Sequence, residues 1–268
     1  MSFQHKKSLG QHFLNSEYVP KQMCDAGSVV AGDIVLEIGP GTGVLTREIL
    51  TRGARVVAVE ADERAIESLQ KTFKEEISSG QLNIYHYDAR KLDMTLFGLI
   101  DQKFKVIANI PYYISGLLFR HCLESEIQPT NLVFLVQKEV AERIARDPKS
   151  SILSMSVKVF GDPSYICTVK RGNFTPPPNV DSAVIAVNNI NKQKLQRIRA
   201  AFFFEILHAS FGKKRKQLAG NLKNYFDKNV VAETLCSMHI DPKIRAEDLQ
   251  VGEFVDLIIK LQENGLKQ

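Results

Sequence analysis

The segment "DIVLEIGPGTGVLTREILTRG", residues 33–53, decides the fold. Its first part, residues 33–39, reads as a strand. Its second, residues 44–53, reads as a helix closed by Gly53. Glycines at 39, 41 and 43 occupy the turn between them, where they let the backbone turn sharply and approach a ligand closely. The spacing argues against one common ligand class. A dinucleotide fingerprint, G-x-G-x-x-G, needs its third glycine at position 44, where Val44 stands. The loop suits a nucleoside that carries no pyrophosphate.

Outward from this turn, strand-like and helical patterns alternate. "RVVAVEA" (55–61), "LNIYHYDA" (82–89), "KVIANI" (105–110) and "LVFLVQ" (132–137) read as further strands. "ERAIESLQKTFKEEI" (63–77) and "KEVAERIAR" (138–146) read as helices. Continuous apolar strands separated by helices predict a mostly parallel α/β sheet covered on both faces. After "SILSMSVKVFG", the runs "SYICTVK" and "DSAVIAV" are close enough to pair as an antiparallel edge. Residues 189–191 are polar, and beyond them the pattern reads as helical throughout, ending in "EFVDLIIKLQENG". The expected organisation is therefore a Rossmann-like sheet domain over 1–188 and a small all-α domain over 189–268.

Composition narrows the functional classes. The 268 residues are 44% hydrophobic and 24% charged, ordinary for a globular protein with a real core. No apolar run reaches the roughly 18 residues of a membrane span. The start, "MSFQHKKSLGQHFLN", lacks the apolar stretch of a secretory signal. Cys24, Cys122, Cys167 and Cys236 are scattered, neither a zinc pattern nor a disulfide framework, so the expectation is a cytoplasmic protein without a structural metal. Charge is uneven. Residues 1–188 carry 21 Lys/Arg against 21 Asp/Glu, and residues 189–268 carry 14 against 9. Residues 189–216 alone hold 8 against 1, including the run Lys213, Lys214, Arg215 and Lys216. Such a block attracts a polyanion, or else forms a solvated face.

Two carboxylates join the glycine turn at one end of the sheet. Glu60 closes the second strand, where an ionised carboxylate accepts from ribose hydroxyls, and Asp88 closes the third. With Gly39 and Gly41 they converge on one crevice. The E-x-G-x-G-x-G loop resembles the S-adenosylmethionine loop of class I methyltransferases. That resemblance implies an adenosyl cofactor, with Asp88 accepting from the adenine amine and the Ala89 N–H meeting a ring nitrogen.

The fourth strand ends in "NIPY", 109–112. It resembles the (Asn/Asp)-x-Pro-(Tyr/Phe) motif of enzymes that methylate exocyclic amines of nucleobases. The adenine amine is a poor nucleophile because its lone pair is delocalised into the ring. Acceptors at the Asn109 side-chain oxygen and the Ile110 carbonyl favour a more pyramidal, more nucleophilic nitrogen. Pro111 stiffens the turn, and Tyr112 offers a flat face to an unstacked base. The alternative is a plain strand-to-helix turn capped by Asn109.

Three further segments, "SLGQHFLN" (8–15), "QKEVAERI" (137–144) and "NFTPPPNVDSAV" (173–184), are similar to motifs of the ribosomal RNA adenine dimethyltransferases. The resemblance spans nearly the whole chain and is closest to the bacterial KsgA-like branch. It implies dimethylation of two adjacent adenosines in the 3′-terminal hairpin of small-subunit ribosomal RNA, with a part in small-subunit biogenesis. It further implies that His12 and Leu14 fold over the cofactor, with Asn109 also beside it, and that Phe174 covers the target adenine opposite Tyr112. "SFGKKRKQLAGNL" (210–222) is similar to the RNA-contacting module of that family, which implies an RNA role for the basic run. A monomer acting on ribosomal RNA in an assembling subunit is the expectation. His12 stands where the family more often has Asn, and "NIPYY" replaces "NLPYN". Three other readings stay open: a large-subunit resistance methyltransferase, an assembly factor without activity, and a Rossmann oxidoreductase.

Overall fold

The computed structural model describes residues 12–264. Its strands are β1 (Phe13–Leu14), β2 (Ile34–Ile38), β3 (Arg55–Glu60), β4 (Leu82–His86), β5 (Lys105–Asn109), β6 (Asn131–Gln137), β7 (Asp162–Val169), β8 (Phe174–Thr175) and β9 (Ser182–Asn188). Its helices are α1 (Tyr18–Ala26), α2 (Val44–Thr51), α3 (Glu63–Thr72), α4 (Lys74–Ser78), α5 (Ser115–Glu124), α6 (Lys138–Ala145), α7 (Ile152–Lys158), α8 (Ala200–Ser210), α9 (Leu218–Asn221), α10 (Lys228–Ser237) and α11 (Val251–Glu263). Among the described residues, no helix is long and apolar enough to cross a membrane.

Seven strands form one sheet in the order β4-β3-β2-β5-β6-β9-β7, and β1 pairs with β8 separately. Strands β4, β3, β2, β5 and β6 are mutually parallel. Strand β9 runs antiparallel to β6 and β7, so the expected antiparallel edge is present. The strands read as unbroken apolar runs because both faces are covered: Leu132 to Val136 of β6 are fully buried. The chain begins the parallel sheet at its centre, winds outward through β3 and β4, then returns to place β5 on the other side of β2. Strands β2 and β5 therefore flank the point where the winding reverses, and their carboxyl ends open a crevice.

The helix expected over 63–77 is interrupted. Phe73 leaves helical geometry at φ −114° and ψ 41°, separating α3 from α4. Its buried ring lies where a side chain on Gly43 would stand, 2.6 Å from that Cβ position, so the break packs the helix against the glycine turn.

The chain forms two compact units, residues 1–142 with 162–190 and residues 143–161 with 191–268. A single cut near residue 189 thus leaves out the segment 143–161. It joins the second unit because its apolar side chains Met155, Val159 and Phe160 are buried, with Phe160 stacked on Phe204 of α8 at 6.0 Å. The second unit is also less helical than expected. Residues 192–199 hold only a short 3-10 turn (Gln193–Leu195), and Phe211–Gln217 form turns between α8 and α9. Gly212 and four successive cations disfavour a helix there through backbone entropy and like-charge repulsion.

Candidate active site

The glycine turn is built from three left-handed residues, with φ of +68° at Gly39, +56° at Gly41 and +81° at Gly43. Their surroundings differ. A Cβ on Gly43 would meet Phe73, one on Gly41 would lie 2.7 Å from the Phe13 ring, and one on Gly39 would meet nothing within 4 Å. Gly43 and Gly41 thus make room for the protein's own rings. Gly39 makes room for a ligand. The crevice beside it is lined by His12, Gly39, Gly41, Glu60, Asp88, Ala89, Asn109, Ile110, Pro111 and Tyr112, all expected from sequence.

Glu60, 6% exposed, is held by backbone donors. Its Oε2 accepts from Gly41 N at 3.1 Å, and its Oε1 from Ala61 N and Asp62 N, both at 2.9 Å. Burial raises its pKa, and these bonds oppose the shift. Three bonds use most of the roughly four lone-pair positions of a carboxylate, leaving one acceptor site on Oε2. Two residues before the turn, Glu37 is 1% exposed and accepts from Thr46 Oγ1 at 2.7 Å. Burial pushes its carboxyl up to about 8, against the hydrogen bond from Thr46.

Asp88 accepts from Arg90 N at 2.9 Å, and from Arg90 Nη2 at 2.6 Å within a forked ion pair. The Arg90 side chain holds the Asp88 carboxyl below the usual carboxylate range. Arg90 carries no apolar or glycine signature that would have marked it in the sequence, yet it lines the crevice.

Across the crevice, Asn109 ends β5 and its Nδ2 donates to the His12 carbonyl at 3.1 Å. A planar amide tied down by its nitrogen leaves Oδ1 as the free acceptor. The plain capping alternative would instead turn that oxygen to a helix N–H. Here the helix α5 has no side-chain cap, and the 3-10 turn Tyr112–Ile114 that precedes it begins at Pro111, also without one. Tyr112 is oriented by a 2.6 Å bond between its hydroxyl and Ser182 Oγ, and burial raises its pKa.

The β1–β8 pair closes one side. Phe13 pairs with Thr175 and Leu14 with Phe174. Asn15 N donates to the Asn173 carbonyl at 3.0 Å, and Asn15 Nδ2 to Thr175 Oγ1 at 3.2 Å. Residues 8–11 of the motif "SLGQHFLN" lie outside the described residues. Two expected side chains do not reach the crevice. Leu14 at 7% exposure and Phe174 at 2% pack into the hydrophobic core, because β1–β8 pairing turns both inward. The ring stacked on Tyr112 is His12, at 5.7 Å. Phe13, Tyr87, Arg90, Tyr113 and Ser182 were not singled out in the sequence as site residues. Only Tyr113 gave a signal there, as the second tyrosine of "NIPYY". It is 60% exposed at the rim.

The basic run lies in the second unit. Lys213, Lys214, Arg215 and Lys216 are exposed and form no ion pair among the described residues.

The crevice fits an adenosyl group on structural grounds. It offers an open backbone at Gly39, acceptors at two strand ends, and apolar walls from Ile38, Val59, Ile110 and Pro111 against which a flat ring packs. Comparison with known proteins agrees. Residues 2–263 match the family described as Ribosomal RNA adenine dimethylase. The Ribosomal RNA small subunit methyltransferase A of Dehalococcoides mccartyi (strain CBDB1) is 36% identical, over 97% of this chain and 89% of the relative. That of Enterococcus faecalis is 35% identical, over 98% and 92%. A dimethyladenosine transferase from Plasmodium falciparum superposes with a TM-score of 0.80 at 26% identity, covering 95% of this chain and 99% of that one. The 23S rRNA methyltransferase ErmE shares the fold, with a TM-score of 0.72 at 20% identity over 93% and 99%. The strand order, the glycine turn, the Asn109 amide and these relatives lead to one conclusion: the chain belongs to the ribosomal RNA adenine dimethylase family.

Proposed function

We propose that this enzyme dimethylates the exocyclic amines of two adjacent adenosines in the 3′-terminal hairpin of small-subunit ribosomal RNA, and that it acts in the cytoplasm, as a monomer, during small-subunit assembly. The names and near-full-length coverage of its relatives support the substrate class. The methyl donor is S-adenosylmethionine, which when bound supplies a methyl group on a positively charged sulfur, already activated for transfer to an amine. Gly39, Glu60, Asp88 and Ala89 would hold its adenosyl part. A ribose hydroxyl would take the remaining Oε2 position of Glu60 or compete with the 3.1 Å Gly41 bond. The adenine amine would share Asp88 with the Arg90 fork.

The observation that carries the reading is the orientation of Asn109. Its nitrogen end is bound to the His12 carbonyl, so Oδ1 and the neighbouring Ile110 carbonyl are left to accept from the two N–H bonds of a target amine. That pair opposes delocalisation of the lone pair into the purine ring and stabilises positive charge developing on nitrogen. Tyr112, fixed through Ser182, presents a stacking face to the base. The second methylation uses the same acceptors with one N–H replaced, which requires the monomethyl amine to rotate. The test is Asn109→Ala assayed on purified small subunits that lack the modification. Turnover should fall by roughly 100-fold or more. Near-normal turnover would rule out the role of the amide.

A further inference from the structure

We propose that the outer face of α5, from Tyr113 at the crevice rim to Leu117, is a landing surface for the RNA nucleotide next to the target, its base stacked on the Tyr113 ring. This rests on the adenine-methylation reading and gives a place to the second of two adjacent adenosines while the first occupies the site. The surface is open as it stands. Tyr113 is 60% exposed, although it directly follows Tyr112 of the strand-end motif. Exposure recurs at 113, 117 and 120, the spacing of one helix face, while Leu118, Phe119, Cys122 and Leu123 fill the inner face. The outward face of a helix is ordinarily polar. This one begins with a tyrosine and a leucine, Leu117 being 36% exposed.

Scattered apolar side chains on a surface are normal, so two further observations decide. Gly116 stands between Tyr113 and Leu117 in the first turn of α5, where a glycine costs backbone entropy. Its φ is not in the left-handed region, and a Cβ built on it meets nothing within 4 Å. The protein's own packing therefore gives no reason for the missing side chain, whereas a strand of RNA passing close over α5 does. Cations lie beside this face. His121 Nε2–H of α5 donates to the Arg90 carbonyl at 3.1 Å, which fixes the Arg90–Lys91 turn against the helix. Both cations are exposed, and Lys91 forms no ion pair among the described residues. An exposed ring with cations beside it matches single-stranded nucleic acid, with the base on the ring and the phosphate near the positive charge.

The experiment compares Tyr113→Ala, Tyr113→Phe and Gly116→Leu in the full-length chain, with unmodified small subunits as substrate and S-adenosylmethionine binding measured by calorimetry. Melting temperatures establish that each variant is folded. Tyr113→Ala should raise KM for the subunits about 10-fold, in the range for one lost stacking contact, with kcat and cofactor Kd each changed by less than about threefold. Tyr113→Phe keeps the ring and should restore KM. Gly116→Leu should raise KM by a similar factor without lowering the melting temperature, because the space it fills is empty of protein. The chain contains no tryptophan, so Tyr113→Trp adds a single reporter. Its emission should be quenched by a protein-free RNA hairpin carrying two adjacent adenosines. Replacing the two adenosines in turn by abasic nucleotides should abolish the quench in one of the two cases. An unchanged KM in Tyr113→Ala or Gly116→Leu overturns the proposal, as does a loss that Phe fails to restore. Weakened cofactor affinity at normal KM would assign the ring to the cofactor and also overturns it. So does a KM effect without quenching by the hairpin, which would mark a protein partner, or a quench that survives both abasic replacements. Failure of the wild-type chain to methylate small subunits, or normal turnover by Asn109→Ala, would instead sink the underlying reading, so the two failures are separable.

Discussion

Glu37 is buried at the glycine turn, and burial raises its pKa, which gives folding a pH dependence. Unfolded, the group titrates near its ordinary 4.5; folded, burial pushes it up to about 8. Between those values the folded chain holds a proton that the unfolded chain has released. Stability is therefore fully supported below the lower value and falls as pH rises through about 8. Glu60, shifted the same way by burial, adds to the slope. Glu37→Gln keeps the acceptor for Thr46 and cannot ionise. Its melting temperature should decline less steeply than that of wild type between pH 5 and 8.5, the interval set by Glu37 titration. Parallel curves would show that Glu37 is already charged in the folded state.

At the scale of elements, the β1–β8 pair is a strap of two residues on each side, too short to be stable alone. It depends on the Phe13 ring filling the space left by Gly41 and on side-chain bonds from Asn15. Asn15→Ala removes the Nδ2 bonds to Thr175 Oγ1 and the Gly172 carbonyl while leaving the backbone bond from Asn15 N. A net hydrogen bond is worth about 1 kcal/mol. Cofactor release, followed by stopped flow, should accelerate by roughly fivefold, with faster amide exchange over 13–15 and 173–175. Unaltered release would mean that the strap does not hold the cofactor.

For the molecule as a whole, two features matter. One is the interleaved division of the chain. A fragment ending at residue 188 retains α7 but lacks α8, so Phe160 loses the Phe204 ring it stacks on and the buried side chains of 143–161 lose the rest of their unit. Several buried apolar side chains at roughly 1.5–3 kcal/mol each make that exposure costly. The fragment should bind a hydrophobic dye and aggregate, whereas one with 143–161 replaced by a short linker should do so less. Equal behaviour would show that α7 needs no partner. The other feature is charge. Reversing Lys213, Lys214, Arg215 and Lys216, which are exposed and unpaired among the described residues, should weaken RNA binding and flatten its salt dependence. Cofactor affinity, measured by calorimetry, should stay within twofold. An unaltered salt slope would assign the run to plain solvation.

What the sequence by itself determined is local and periodic: the alternation of apolar strands with helices, the glycine turn after β2, the acids ending or following β3 and β4, and the amide ending β5. These are set by backbone sterics and by the period of apolar residues, which neighbouring positions display directly. The helix start and stop signals gave less. Phe73 breaks a helix that its periodicity continues, and residues 192–199 are not α-helical, because packing overrides propensity. Only the tertiary structure decided which ring faces Tyr112. Pairing of β1 with β8 sends Phe174 and Leu14 inward and brings His12 over the motif, across 100 residues of chain. It likewise decided that Ser182 fixes Tyr112, that Arg90 forks onto Asp88, and that 143–161 packs against α8. Such pairings depend on which elements meet in space, and no periodicity along the chain encodes that meeting.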